Sequence, residues 1–294
     1  MQYQKHPISI EEQLRLWESD QIVCTDREKA LRYLSNISAY RLKPYRSFLK
    51  RISPESIRFD EIIKLYVFDK RIRLLFFDAI ERIEVAIRAQ FINCYGVRYG
   101  DHWHLNPLYF SSLSVFDLFT KEIMDISAPQ KRPTFIQHYF DKYSQGPASP
   151  PCSMLMEALS FGQISRLFKG LANNEGKEDI ARHFGVKAPV LASWLHSLSY
   201  LRNACAHHSR VWNNVASIAP MKPHKPLDKW LDMEQINPKK TYMSFVVMCY
   251  LLRRISPASS FQLRFIQLLE TEQNPKLYGE MGFPYGWEHD SFWQ

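Results

Sequence analysis

Apolar residues recur at three- and four-residue steps along most of this chain, and strict apolar/polar alternation is almost absent. That period predicts helices throughout. Ser9 with Glu12 and Thr25 with Glu28 have capping-box spacing ahead of "LRLW" and "KALRYL", which places two helices at the start. A third follows around "SAYRLKPYRSFL", where Pro44, lacking an N–H donor, is expected to begin or interrupt helix. From Phe59 to about Tyr95 there is no Gly or Pro, and the apolar positions predict one helix close to 55 Å long, ended by Gly96 and Gly100.

Residues 101–153 carry a weaker pattern, with two short helices around "SVFDLFTKEIMDI" and "PTFIQHYFDKY" and then a hinge-like loop, "SQGPASPPCS". Helices resume with "MLMEALSFGQISRLFKGL", "KEDIARHF", "APVLASWLHSLSYLRNACAHHSR", "KTYMSFVVMCYLLRRI" and "FQLRFIQLLE", before an aromatic tail, "YGEMGFPYGWEHDSFWQ". The "FVVMCYLL" stretch reads as core. No repeat or low-complexity tract interrupts the pattern. The expected architecture is all-α, a single domain over residues 1–294 in which residues 1–57 form an N-terminal helical arm. Residues 58–294 then form the core, with an insertion at about 101–153 and extra C-terminal helices.

Composition agrees with a folded chain, since 46% of residues are hydrophobic and 14% aromatic. Five scattered cysteines, none spaced as CxxC, argue against a disulfide framework or a four-cysteine zinc site. A reducing cytoplasm fits best. The first residues lack a leader pattern, and the longest apolar run is far short of a membrane span, so no membrane partner is expected. The formal net charge of +8 favours polyanions, nucleic acid among them. No GxGxxG, P-loop, HExxH or GxSxG element supports dinucleotide, phosphate-loop, zinc-protease or hydrolase chemistry.

The polar residues of "LSYLRNACAHHSRVWN" stand out inside this apolar pattern. On a continuous helix Asn203 and His207 share a face, whereas Arg202 sits about 140° and His208 about 100° from His207. Histidine moves protons near neutral pH, and arginine presents a fork of donors suited to phosphate. The trio Arg202, Asn203 and His207 therefore reads as a phosphodiester site. In RNA the 2′-hydroxyl can be the nucleophile, so neither metal nor cofactor is called for. One motif supplies one clear base; a two-fold dimer would supply the second, and His208 is the local alternative, ranked below the second subunit. A satisfied surface or core histidine is the plain alternative, and a metal site from His196, His207 and His208 is the weakest reading.

"RNACAHHSRVWN" resembles the RNxxxH signature of the HEPN nuclease superfamily, in the form found in bacterial abortive-infection proteins of the AbiD/AbiF type, the Abi-like family. In the same order, "SAYRLKPY", "FDEIIKLYVFDKRIRLL", "IERIEVAIR", "EALSFGQISRLF" and "MGFPYGWEHDSFW" resemble that family across nearly the whole chain. One departure is "PPCSM" at residues 150–154, where relatives usually carry "PPIW". The resemblance implies a HEPN-type helical bundle and a homodimer with a composite, metal-independent endoribonuclease site. It also implies a toxin role in antiviral defence, with a structured non-coding RNA as regulator or antitoxin. A non-catalytic protein that holds such an RNA is the alternative.

Further RNA-contact candidates surround the trio. Arg210 is placed one helical turn past Asn203 and His207 as a phosphate contact, with His208 in support. Arg41, Lys43 and Arg46 mix with Tyr40 and Tyr45 as cations and aromatics do on RNA-binding surfaces. Arg82 and Arg88 lie on the long helix, where Glu84 and Arg88 also have the spacing of an ordinary ion pair.

Overall fold

The structure is a computed structural model that describes residues 6–272 and 275–294. It is all-α: among the described residues the only sheet is a two-residue parallel pair, Ile22–Val23 (β1) with Ile57–Arg58 (β2). The chain divides into two compact units, Met1–Ile72 and Arg73–Gln294.

The first unit holds α1 (Ile10–Ser19), α2 (Arg27–Asn36), α3 (Ala39–Ile52) and the opening turns of α4 (Phe59–Gln90). The Ser9–Glu12 capping box forms, with the Glu12 carboxylate accepting from Ser9 N at 2.8 Å. At α2 the cap is Asp26, not Thr25, and its carboxylate accepts from Lys29 N at 2.8 Å. A carboxylate there satisfies an orphan donor and also meets the positive end of the helix dipole, which a threonine hydroxyl cannot do.

Pro44 neither begins nor interrupts α3, which runs through it. The missing N–H removes one bond, while Leu42, Tyr45 and Phe48 on one buried face hold the helix on both sides of it. Within this unit Trp17 packs on Phe59 with ring centroids 5.7 Å apart, and the Tyr45 hydroxyl donates to buried Asp69 at 2.5 Å.

In the second unit α4 continues through Phe76, Ile80, Ile83 and Ile87, all fully buried. The chain then widens into a π-turn, Phe91–Gly96, and a single helical turn, α5 (Val97–Tyr99). Gly96 does not end the helix as its residue type suggests: its backbone stays right-handed, and a Cβ there would lie 3.0 Å from Cys152 Sγ. The glycine serves close packing against α8 (Cys152–Ala158). Gly100, at φ +88°, makes the break.

The insertion contains α6 (Leu113–Ser127) and α7 (Thr134–Lys142), as the pattern predicts. Its closing loop is not a free hinge, because Ser149 and Pro150 are buried and Ser149 Oγ lies 2.8 Å from His104 Nε2. Burial pushes His104 down to about 4, with His102 adding to the effect. The folded state therefore keeps this imidazole neutral at pH values where the unfolded chain has already protonated it. Its contribution to stability is intact above about pH 6.5 and is lost toward pH 4, on the order of 3 kcal/mol in all. Melting temperature should accordingly fall more steeply between pH 7 and pH 4.5 in the wild type than in His104→Gln, and equal slopes would contradict this.

The remaining helices are α9 (Phe161–Gly170), α10 (Glu175–His183), α11 (Ala188–Ala206), α12 (Thr241–Ile255), α13 (Phe261–Glu270) and α14 (Pro275–Met281). Every residue of α12 from Thr241 to Leu252 is buried, so "FVVMCYLL" is core. The aromatic tail folds back on this helix, with Phe245 stacked on Phe265 at 4.2 Å and on Trp293 at 5.0 Å. α11 packs on α9, and Leu191, Trp194, Leu195 and Leu198 fix which side of α11 faces inward.

Candidate functional site

The buried face of α11 leaves Tyr200, Asn203 and His207 on the outside. The helix stops at Ala206, four residues short of the sequence expectation. His207 is the C-cap, and His208 takes the left-handed conformation at φ +57°. Ser209 N donates to Ala204 O at 2.8 Å and His208 N to Cys205 O at 3.1 Å, the paired bonds of a Schellman stop. Buried Arg73 adds Nη1 to Ser209 O at 3.4 Å from α4. Helical-wheel positions therefore do not apply to His208 or Arg210, and neither continues the Asn203–His207 face as a helical turn.

Glycine is the usual residue at the His208 position, because a side chain in the left-handed region costs about 1 kcal/mol or more. His208→Gly is expected to leave the cap intact and raise stability by about 1 kcal/mol, as read by urea denaturation. A destabilised variant would show that the imidazole, not the backbone stop, is what matters at this turn.

Arg202 turns away from the helix end. Its guanidinium lies over the Phe77 ring, 5.6 Å from the centroid, and Nη1 donates weakly to Asn203 Oδ1 at 3.4 Å. Its Nε is buried with no hydrogen-bond partner, and among the described residues no carboxylate pairs with it. This sets it apart from Arg98, Arg166, Arg182, Arg254 and Arg264, each of which meets an Asp or Glu within 3.0 Å. The structure thus joins Arg202 to Asn203, and it leaves the His207 side chain exposed.

The other candidates scatter. Arg210 is half-buried and makes no ion pair among the described residues. Arg82 is exposed, with Nη2 3.6 Å from Asp78. Arg88 is a strut: it pairs with Glu84 at 2.5 Å and donates to Leu159 O at 2.8 Å and Glu157 O at 3.0 Å. That occupies the donors an RNA contact would need. In the first unit Tyr40, Arg41 and Lys43 are exposed, whereas Tyr45 is buried and Arg46 lies on Trp17 at 5.2 Å, 3.3 Å from Asp20.

Among the described residues no group of three or more His, Cys, Asp or Glu side chains is placed to hold a metal. Nor is any helix among them long and apolar enough to cross a membrane. Two partners of the trio escaped the sequence reading, Phe77 beneath Arg202 and Arg73 behind the cap turn. The sequence signal for Arg73 is a cation at a buried position of the apolar period, between Ile72 and Leu75.

No curated protein and no solved structure matches the chain. The family model for Abi-like proteins matches residues 32–213, a span that begins in α2 and takes in Arg202, Asn203, His207 and the turn after them. With more than half of its length inside that match, the chain belongs to the Abi-like protein family.

Proposed function

We propose that this protein is an abortive-infection ribonuclease that cleaves RNA without a metal, using Arg202, Asn203 and His207 in the manner of HEPN enzymes. The observation that carries the reading is Arg202: a half-buried guanidinium held on Phe77, its Nε without a partner, its Nη1 only 3.4 Å from Asn203 Oδ1, and no carboxylate among the described residues to neutralise it. A cation kept in that state is suited to an anionic ligand. In the proposed reaction a histidine removes the 2′-hydroxyl proton, the oxygen attacks the adjacent phosphorus, and Arg202 stabilises the crowded phosphorane. A second histidine protonates the departing 5′-oxygen, and Asn203 orients the phosphate.

His207 and His208 are both exposed, but His208 sits in the left-handed cap position off the Asn203–His207 face, so the second proton-transfer group is assigned to the His207 of a second copy. The surface proposed for that contact is the outer face of α4 beside Arg202, where Leu74 is 61% and Phe77 38% exposed. A structured non-coding RNA is the proposed regulator, in keeping with the basic charge. Purified full chain, freed of nucleic acid and incubated with total RNA in EDTA, is expected to cut it. A defined co-purifying RNA with no cleavage under any ionic condition would favour the binding-only alternative.

A further inference from the structure

On the Tyr200 side of α11, the helix and two loop segments enclose a cleft lined by Tyr200, Ala204, Asn214, Ala216, Lys239 and Thr241. Its walls are fastened: Ala216 N donates to Lys239 O at 2.8 Å, and Thr241 Oγ1 bonds Val211 O at 2.8 Å and Trp212 O at 3.0 Å. Tyr200 is 40% exposed, its hydroxyl only loosely held 3.4 Å from Ser217 Oγ. The Asn214 amide and the Lys239 ammonium make no hydrogen bond or ion pair among the described residues.

A partly exposed aromatic ring, an amide with one donor and one acceptor edge, and a cation are the three groups that a single nucleotide matches. A base stacks on the ring, its edge meets the amide, and a phosphate meets the ammonium. The cleft itself encloses only about 30 Å³, room for about one water, so a base must lie across its mouth against the ring and cannot insert into it. Tyr200 stands three residues before Asn203 and seven before His207. A rotation of about 100° per residue keeps all three within about 60° of one another, and three residues span about 4.5 Å along the axis. A base on Tyr200 is therefore within one nucleotide of a phosphate at Asn203.

We infer that this cleft is a base subsite for single-stranded RNA, in which Tyr200 stacks the nucleotide next to the cleaved phosphate, Asn214 reads its edge and Lys239 holds a neighbouring phosphate. That the neighbouring phosphate is the one cleaved rests on the ribonuclease reading; the contact with RNA does not. Paired bases present no free face to such a ring, so the subsite selects loops and single strands. Base preference at this position follows from the Asn214 amide and not from Tyr200, since every base has a face that can stack.

The test uses full-length chain and a short fluorescein-labelled single-stranded RNA of mixed sequence, with affinity read by anisotropy in EDTA. In a His207→Ala background, which keeps the probe uncut, Tyr200→Ala is expected to weaken binding about tenfold, and Tyr200→Phe to keep it. Equal affinity of the Ala and parent proteins, or no binding by the parent, overturns the inference. In the cleaving protein, sequencing of the cut ends should show that Asn214→Ala relaxes base preference beside the cut, and an unaltered preference overturns the edge-reading role. If no variant cleaves yet Tyr200→Ala still weakens binding, the ribonuclease reading falls and the subsite stands as an RNA-binding element.

Discussion

Replacing His207 with alanine is expected to lower RNA cleavage by at least about a hundredfold while leaving folding and RNA affinity close to wild type. General acid–base groups typically contribute about 10²–10⁴ in rate, and in a two-fold site one substitution removes the base and the acid together. The loss should therefore lie toward the upper end of that range. Stability is expected to hold because His207 enters the helix stop through its backbone, with His207 N donating to Asn203 O at 2.9 Å, while its side chain is exposed. Single-turnover cleavage with excess enzyme, beside anisotropy binding, separates the two effects. Undiminished cleavage would remove His207 from the chemistry, whatever the fate of the fold.

The second large effect concerns stability. Arg88 and Glu84 are only 13% and 14% exposed, so their interaction is poorly screened, and Arg88 also satisfies carbonyls at Glu157 and Leu159 before α9. Arg88→Ala leaves the Glu84 carboxylate half-buried without its cation and two carbonyls without donors. A cost of about 3 kcal/mol is expected, the lower end of the usual range for breaking a buried pair. In a domain of this size that lowers the melting temperature by roughly 6–12 °C. Arg82→Ala, at an exposed 3.6 Å pair, should change stability by less than about 1 kcal/mol. Calorimetry checks both. A stable Arg88→Ala protein with weakened RNA binding would reverse the assignment of Arg88 as a strut.

Periodicity carried much of the fold. The apolar positions of α4 and α12 are the ones that become buried, and the Ser9–Glu12 box forms as its spacing says. Where the sequence misled, a contact distant along the chain outweighed a local preference. Gly96 has the residue type of a helix stop, but it lies against Cys152, and that packing neighbour is 56 positions away. Pro44 has the residue type of a break, but the apolar face around it outweighs one missing bond. His208 is the converse case. Glycine is the usual signal for a left-handed cap, and a histidine there, though tolerated better than most side chains, does not mark the end of α11 in the sequence.

The candidate site was legible as residues but not as geometry. The RNxxxH spacing singled out Arg202, Asn203 and His207, and a helical wheel then placed Arg202 well round from His207. What the wheel could not supply is the Phe77 ring that fixes the guanidinium, because Phe77 is 125 residues earlier in the chain. Arg88 shows the same limit in the other direction, since its i, i+4 partner could be read from sequence but its carbonyl partners could not. Tyr200 went unnoticed because an aromatic on an apolar helix looks like core, and only its exposure separates it from its neighbours.

The most direct test of the central claim is the chemistry of the ends produced when the full-length protein cuts RNA in EDTA. Attack by the 2′-hydroxyl under His207 and Arg202 predicts a 2′,3′-cyclic phosphate on one fragment and a 5′-hydroxyl on the other. A 3′-hydroxyl with a 5′-phosphate, or cleavage that the chelator abolishes, would contradict it.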